Sequence, residues 1–185
     1  MVSFAWFIVA AVVLLSTAVI IVTPGPLTTE LFSGHDVKSA EQKISTEQIT
    51  IDIHHEVNEV RKLHGLDPFN WSNTIAEIAK KHSQDMSERD YLSHISPEGY
   101  DVADRYEQAN FVCDKKLPTG EILKGGENLA GVSFPGDITS VGERIVESWM
   151  DSPTHRENLL FSGYGIEGIG VVLSGDMLYI TQNFC

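Results

Sequence analysis

Two histidines and three carboxylates are the side chains of this chain that are best suited to chemistry. They are His94, Glu127, Glu147, Asp151 and His155. Imidazole and carboxylate groups are ligands of a borderline divalent ion such as zinc. The same groups can serve as a general base and the residue that orients it. No short catalytic motif accompanies them, so the residues alone leave a metal site and an acid–base site both open.

Each candidate also has a purely structural interpretation. Glu127 follows a glycine turn and could hold its loop by accepting hydrogen bonds from backbone amides. His155 could brace its own turn. Ser93, Ser96 and Ser152 are candidate nucleophiles only because they lie near the histidines, and Ser96 precedes a proline, which is typical of a turn. Sequence spacing does not decide between these roles.

Hydrophobic periodicity predicts two helices ahead of these residues. Five apolar residues recur at helical spacing and predict the first helix: Ile49, Ile53, Val57, Val60 and Leu63. Ser72 is a suitable N-cap for the second. The apolar face of the second helix consists of Ile75, Ile78, Ala79, His82 and Met86. On that face, His82 is interpreted as a core histidine with its hydrogen bonds satisfied.

The rest of the chain mixes strands and helices. The predicted elements are a weak helix at 100–109, a polar surface insertion at 112–126, a strand at 127–133, a helix capped by Asp137 that carries Ile138, Val141, Ile145 and Trp149, a short helix that begins at Pro153, and a hairpin of 169–173 with 177–184. This order predicts an α+β fold in which helices cover an antiparallel sheet.

The N-terminus differs in character from the rest of the chain. Residues 4–22 are almost entirely apolar and long enough to cross a bilayer once. No basic residue precedes them, so we predict an uncleaved transmembrane anchor at 1–23 rather than a removed signal peptide. Residues 24–46 are predicted to be a flexible linker and 47–185 the folded domain. The absence of a basic residue before Lys38 predicts that the domain faces outward.

Charge and cysteine content set further bounds. The chain has 13 basic against 26 acidic residues, a formal net charge of −13 over 185 residues. Without a local basic patch, such a protein is not expected to bind nucleic acid. Cys113 and Cys185 are the two cysteines. An extracellular location permits a bridge between them, but two unlinked thiols remain the alternative, since sequence does not show geometry.

Several motifs, taken together in their order, resemble the CAP superfamily of cysteine-rich secretory, antigen 5 and pathogenesis-related 1 proteins. They are HSQDMSERDYLSHISPEG, GENLAG, ESWMDSPTHRENLL, GIGVV and YITQNF. Asn58 and Arg61, with Trp71, match the opening of the family domain. The resemblance covers about 47–185 and is closest to the short prokaryotic branch, which has few cysteines.

This resemblance implies a fold and a site. The family fold is a three-layer α-β-α sandwich with a central, mostly antiparallel sheet. Its cavity is lined by two histidines and acidic residues, which here correspond to His94, Glu127 and His155. In several members the cavity binds a divalent metal, often zinc. Eukaryotic members carry a second glutamate three residues after the helix tryptophan, where this chain has Ser152.

The function implied is that of a membrane-tethered extracellular binding module. Its cavity would bind a divalent metal through His94, Glu127 and His155, with Ser152 added for a lipid, peptide or cell-envelope ligand. The alternative is an extracellular hydrolase of protease type, in which a histidine is the base and Glu127 its orienter. A third possibility is a structural interaction domain with a vestigial cavity.

Overall fold

The structure, a computed structural model, describes residues 34–134 and 141–185, with side chains from residue 46 onward. Within these residues the helices are α1 (Gly34–Leu63), α2 (Asn73–Arg89), α3 (Val102–Gln108), α4 (Val141–Asp151) and α5 (Pro153–Leu160). The strands are β1 (Asn70–Trp71), β2 (Lys115–Lys116), β3 (Ile122–Leu123), β4 (Gly126–Ser133), β5 (Ile166–Ser174) and β6 (Met177–Phe184).

The first helix begins earlier than predicted. It starts at Gly34, so residues 34–46, predicted as part of a flexible linker, are helical. This stretch contains the helix-favouring residue types Lys, Ala, Glu and Gln and is not interrupted by proline, which is compatible with a helix. At the other end, Leu63 was predicted on the buried face but is 82% exposed. The predicted anchor lies outside the described residues, and no described helix is long and apolar enough to cross a bilayer.

The later helices follow their sequence signals. Ser72 caps α2 by accepting a hydrogen bond from the amide of Ile75, as predicted. Asp101 and Asp104 form a capping box at the start of α3. Pro153 occupies the first turn of α5, as its fixed φ angle favours. The predicted cap of α4, Asp137, lies outside the described residues.

The main sheet has four strands in the order β1-β5-β6-β4. The short β1 pairs parallel to β5, while β5–β6 and β4–β6 are antiparallel. The predicted hairpin is confirmed, and its turn contains Gly175 at a φ of +57°. Residues 112–126, predicted as a polar insertion, include the small antiparallel pair β2–β3.

Helices pack on both faces of this sheet. Leu178, Ile180 and Phe184 alternate along β6 and join the core formed with α1, α4 and α5. Thr181 lies on the other face and accepts a hydrogen bond from Ser83 of α2. A Cβ at Gly168 would lie only 2.1 Å from a backbone nitrogen of α2, so the helix rests directly on the strand. The predicted α+β class is confirmed.

One disulfide joins the middle of the chain to its last residue. Cys113 and Cys185 are bonded, with their Cα atoms 5.7 Å apart. The bridge attaches the segment after α3 to the end of β6. Of the two alternatives left by the sequence, the structure therefore supports the paired one.

Candidate functional site

Glu127 is the buried carboxylate at the centre of the site. It lies on β4 with its side chain 3% exposed. Its Oε1 accepts a hydrogen bond from Nδ1 of His94 at 2.8 Å. Its Oε2 accepts one from Nη2 of Arg105 at 2.6 Å. Both oxygens therefore have cationic or imidazole partners, so Glu127 does more than hold its own loop.

His94 is presented from the loop between α2 and α3. Its side chain is 53% exposed, and because Nδ1 donates to Glu127, its Nε2 remains for a ligand. Arg105 fixes the loop by donating to the backbone carbonyls of His94 and Tyr100. The carboxylate and the guanidinium thus orient a histidine that solvent can reach.

His82 adds a second imidazole on the buried side. Its Nε2 donates to the carbonyl of Ser93 at 3.0 Å and lies 3.9 Å from Oε1 of Glu127. Burial lowers the pKa of His82, and the nearby Glu127 charge opposes this only in part. The prediction of a buried, satisfied histidine is confirmed. Its contact with the site was not predicted.

His155 approaches the site from α5 and is half-buried. Burial lowers the pKa of His155, and the charge of His94 lowers it further. The backbone carbonyl of His155 accepts a hydrogen bond from Asn128 at 3.2 Å. Asn158, one turn later, donates to the carbonyl of Glu127 at 3.1 Å. These bonds attach α5, which carries His155, to β4, which carries Glu127.

The remaining acidic candidates lie outside this group. Glu147 and Asp151 are exposed on α4. Between them in sequence, Trp149 is buried and donates its indole N–H to the carbonyl of Leu129, as expected of a core residue.

The serines show no nucleophile–base pair. Ser93 and Ser96 use their hydroxyls to accept from the amides of Ile95 and Tyr100, so the turn interpretation of Ser96 is supported. Ser152 is the N-cap residue of α5 without a side-chain capping bond. Among the described residues, no serine hydroxyl is hydrogen-bonded to His94 or His155.

A cavity of about 570 Å³ borders this site between α2, α3 and the loop that carries His94. Its lining includes His82, Arg105 and Tyr100, but not His94 or His155. Its volume is in the range of small-molecule sites. Because Arg105 and His82 line this cavity and His94 and His155 do not, it lies on the Arg105 side of the site.

The side chains of the site include possible metal ligands. Nε2 of His94 and the imidazole of His155 are nitrogen ligands that suit a divalent ion. The oxygens of Glu127 are already taken by His94 and Arg105. Accordingly, no group of three His, Cys, Asp or Glu side chains poised around an ion is found among the described side chains. The described side chains therefore offer at most two imidazole ligands, with Glu127 supporting that of His94, which is a partial donor set for a divalent ion.

Comparison with known proteins agrees with this geometry. Residues 54–184 match the family model CAP, the Cysteine-rich secretory protein family. The chain belongs to this family. The CAP resemblance stated from its motifs is thus confirmed, and the match covers all the site residues described above.

Two similar proteins come from Bacillus subtilis. The chain is 33% identical to the membrane protein YlbC of Bacillus subtilis (strain 168) over 149 residues, 80% of this chain and 37% of YlbC. It is 32% identical to YkwD of the same organism over 128 residues, 69% of this chain and 43% of YkwD. The chain spans less than half the length of either relative.

A solved structure is similar as well. An extracellular protein containing an SCP domain from Bacillus anthracis str. Ames superposes with a TM-score of 0.56 at 27% identity. The match covers 83% of this chain and 43% of that protein.

Two parts of the polar architecture were missed from the sequence. Arg105 lies in a segment with a weak helical pattern, where an arginine is expected to be exposed to solvent. Glu167 is fully buried on β5 and bonded to His54 of α1. The one signal for Glu167 was an acidic residue inside an otherwise apolar strand.

Proposed function

We propose that this CAP domain is a membrane-tethered extracellular binding module, a three-layer α-β-α sandwich behind an N-terminal transmembrane anchor. Its ligand is a divalent metal such as zinc held by His94 and His155, with Glu127 in support. The observation that carries the proposal is the hydrogen bond from Nδ1 of His94 to the buried Glu127, which leaves Nε2 accessible.

The chemistry of the two imidazoles supports weak metal binding. A carboxylate on Nδ1 selects the tautomer whose Nε2 lone pair is available to an ion. The lowered pKa of His155 keeps its ring neutral near pH 7, as a ligand must be. An ion there would supply a Lewis acid for an anionic group of a lipid, peptide or cell-envelope ligand, with Ser152 as an additional polar contact.

Tethering and location rest on separate support. YlbC is called a membrane protein, and the Bacillus anthracis structure is of an extracellular protein. The Cys113–Cys185 bridge is the kind of bond that persists outside the cytoplasm. The apolar run at 4–22 supplies the anchor in this proposal.

Hydrolysis by the same residues has less support. A Ser–His mechanism needs a hydroxyl within hydrogen-bond reach of the base. The described serine hydroxyls near His94 accept bonds from backbone amides instead. The arrangement therefore favours binding over nucleophilic catalysis.

Calorimetric titration of the purified full chain with zinc tests the proposal. His94→Ala and His155→Ala should each abolish or strongly weaken the heat of binding. His55→Ala, which removes an exposed histidine of α1, is the matched control and should titrate like the wild type. Unchanged binding in both site variants would rule out a metal held by these two rings.

A further inference from the structure

A second buried carboxylate, Glu167, lies on the face of the sheet that packs against α1. It is 0% exposed. Its Oε1 accepts from Nδ1 of His54 at 2.5 Å, and its Oε2 accepts from Nε2 of Gln182 at 2.6 Å. Burial raises the pKa of Glu167, while the bonds from His54 and Gln182 and the charge of Arg61 oppose that shift.

Glu167 determines which way the amide of Gln182 points. Gln182 directs its NH₂ group at Oε2 of Glu167, the orientation that an ionised carboxylate requires because it only accepts hydrogen bonds. Its carbonyl oxygen then faces β4, where it accepts from Nδ2 of Asn128 at 3.2 Å. The orientation of one amide thus dictates that of the next.

The same logic continues to the site. With its NH₂ group directed at Gln182, Asn128 uses the second hydrogen on the carbonyl of His155. Its Oδ1 then accepts from Nδ2 of Asn158 at 2.9 Å, and Asn158 also donates to the carbonyl of Glu127. The direction set at Glu167 reaches the backbone of two of the three predicted site residues.

The hydrogen-bond directions are also fixed at the other end of this series, at Asn58 and His54. The amide of Phe69 donates to Oδ1 of Asn58 at 2.7 Å, so Nδ2 of Asn58 faces Nε2 of His54 at 3.4 Å. With Nε2 of His54 accepting from this amide, Nδ1 carries a hydrogen and donates it to Glu167. No member of the series can reverse alone without setting two donors or two acceptors against each other.

We propose that Glu167 is a positioning residue for the candidate site of His94, Glu127 and His155. Its carboxylate sets the direction of the Gln182 and Asn128 amides and so holds the backbone of His155 against β4. The effect on a bound ion rests on the proposed function, whereas the effect on the amides does not.

Glu167→Gln tests this with almost no change in shape. The Nδ1–H of His54 still needs an acceptor, so the new amide presents its oxygen to His54 and its NH₂ group to Gln182. Gln182 then reverses and directs its own NH₂ group at Asn128. Asn128 must reverse in turn, losing its bond to the carbonyl of His155 and facing the NH₂ group of Asn158.

The double variant Glu167→Gln with Gln182→Glu should restore the original direction. A carboxylate at position 182 accepts both from the amide at 167 and from Nδ2 of Asn128. The chain then carries the same number of charges in a different place. Only a role that depends on bond direction is rescued by this exchange.

Two measurements are made on the full chain. Side-chain amide ¹⁵N–¹H signals of Asn128 and Asn158 report their hydrogen bonding, and zinc titration measures ion binding at the site of His94 and His155. Glu167→Gln should shift both sets of signals and weaken zinc binding about tenfold, the usual scale for a supporting residue. The double variant should recover both, and Glu157→Gln, an exposed carboxylate on α5, should change neither.

The outcomes are decisive in either direction. Unshifted Asn128 signals in Glu167→Gln would overturn the inference, as would a folded double variant that fails to recover. Should the double variant not fold, Gln182→Leu, which interrupts the series, must reproduce the amide shifts of Glu167→Gln. If the wild type does not bind zinc, the proposed metal function fails while the amide signals still decide the role of Glu167.

Discussion

Arg105 Nη2 lies 2.6 Å from Oε2 of Glu127, and this ion pair joins α3 to β4 inside the protein. The arginine side chain is 11% exposed and also donates to the backbone carbonyls of His94 and Tyr100. One guanidinium therefore holds both the carboxylate and the loop that presents its histidine partner.

Replacing Arg105 by Met should be strongly destabilising. The change leaves the buried Glu127 without its cation, and breaking one side of a buried pair costs about 3 kcal/mol. Urea denaturation measures the loss. Arg144→Met, at an exposed position on α4, should change the free energy of unfolding by less than about 0.5 kcal/mol. Equal effects from the two variants would show that the ion pair contributes no particular stability.

Stability should fall on acidification through the histidine range. The pKa of buried His82 is lowered from 6.5 in the folded protein, so below about pH 6.5 the unfolded chain binds more protons. The free energy of unfolding then decreases with falling pH, by at most about 1.4 kcal/mol per pH unit for this group, until the folded pKa is reached. His155 acts in the same direction, and the raised pKa of Glu167 acts against it.

Comparison of variants isolates the contribution of His82. Urea denaturation at pH 7.5 and 5.5 should show a smaller acid loss for His82→Gln than for the wild type. His55→Gln, at an exposed position, should retain the full loss. A loss of the same size in all three proteins would assign the pH dependence to other groups.

The contact of α2 with the sheet should not tolerate a methyl group. A Cβ at Gly168 would lie 2.1 Å from the backbone nitrogen of Ala76, and backbone atoms cannot move aside singly. Gly168→Ala should therefore destabilise the protein by at least about 2 kcal/mol. The atom nearest to an added Cβ at Gly165 is the side-chain Nζ of Lys115, 3.7 Å away. Gly165→Ala is therefore the control and should have little effect on stability. Thermal unfolding of the two variants measures the difference.

Removing the disulfide should destabilise the fold without changing it. The bridge spans 72 residues, and in the chain-entropy model such a loop contributes about 4 kcal/mol. Cys113→Ser with Cys185→Ser should lower the free energy of unfolding by about that amount, with an unchanged circular dichroism spectrum at low temperature. Reductant should destabilise the wild type and leave the double variant unaffected. Insensitivity of the wild type to reductant would contradict the pairing.

Local patterns predicted the elements better than the polar contacts. The apolar face of α2 and the β5–β6 hairpin follow from periodicity and turn chemistry that act over a few residues. Arg105, by contrast, meets Glu127 across 22 positions and His54 meets Glu167 across 113. Such partners are chosen by the tertiary fold, so no spacing rule could identify them.

The resemblance to the CAP superfamily grouped some residues that are distant in sequence. It grouped His94, Glu127 and His155 as one site, and the structure shows the hydrogen bond between His94 and Glu127. Their common role in metal binding stays a prediction. The resemblance did not indicate Arg105, which occupies the oxygen of Glu127 that an ion would use.

Gln182 and Asn183 are consecutive residues of β6, so their side chains face opposite sides of the sheet. Gln182 donates a hydrogen bond to Glu167, while Asn183 lies opposite Glu127 in the register of β6 with β4. A slip of β6 by one residue would exchange these faces and leave the buried carboxylate of Glu167 without its amide. The need of Glu167 for its amide partner therefore favours the native alignment of β6, because a misregistered hairpin would leave Oε2 of this buried carboxylate without its hydrogen bond.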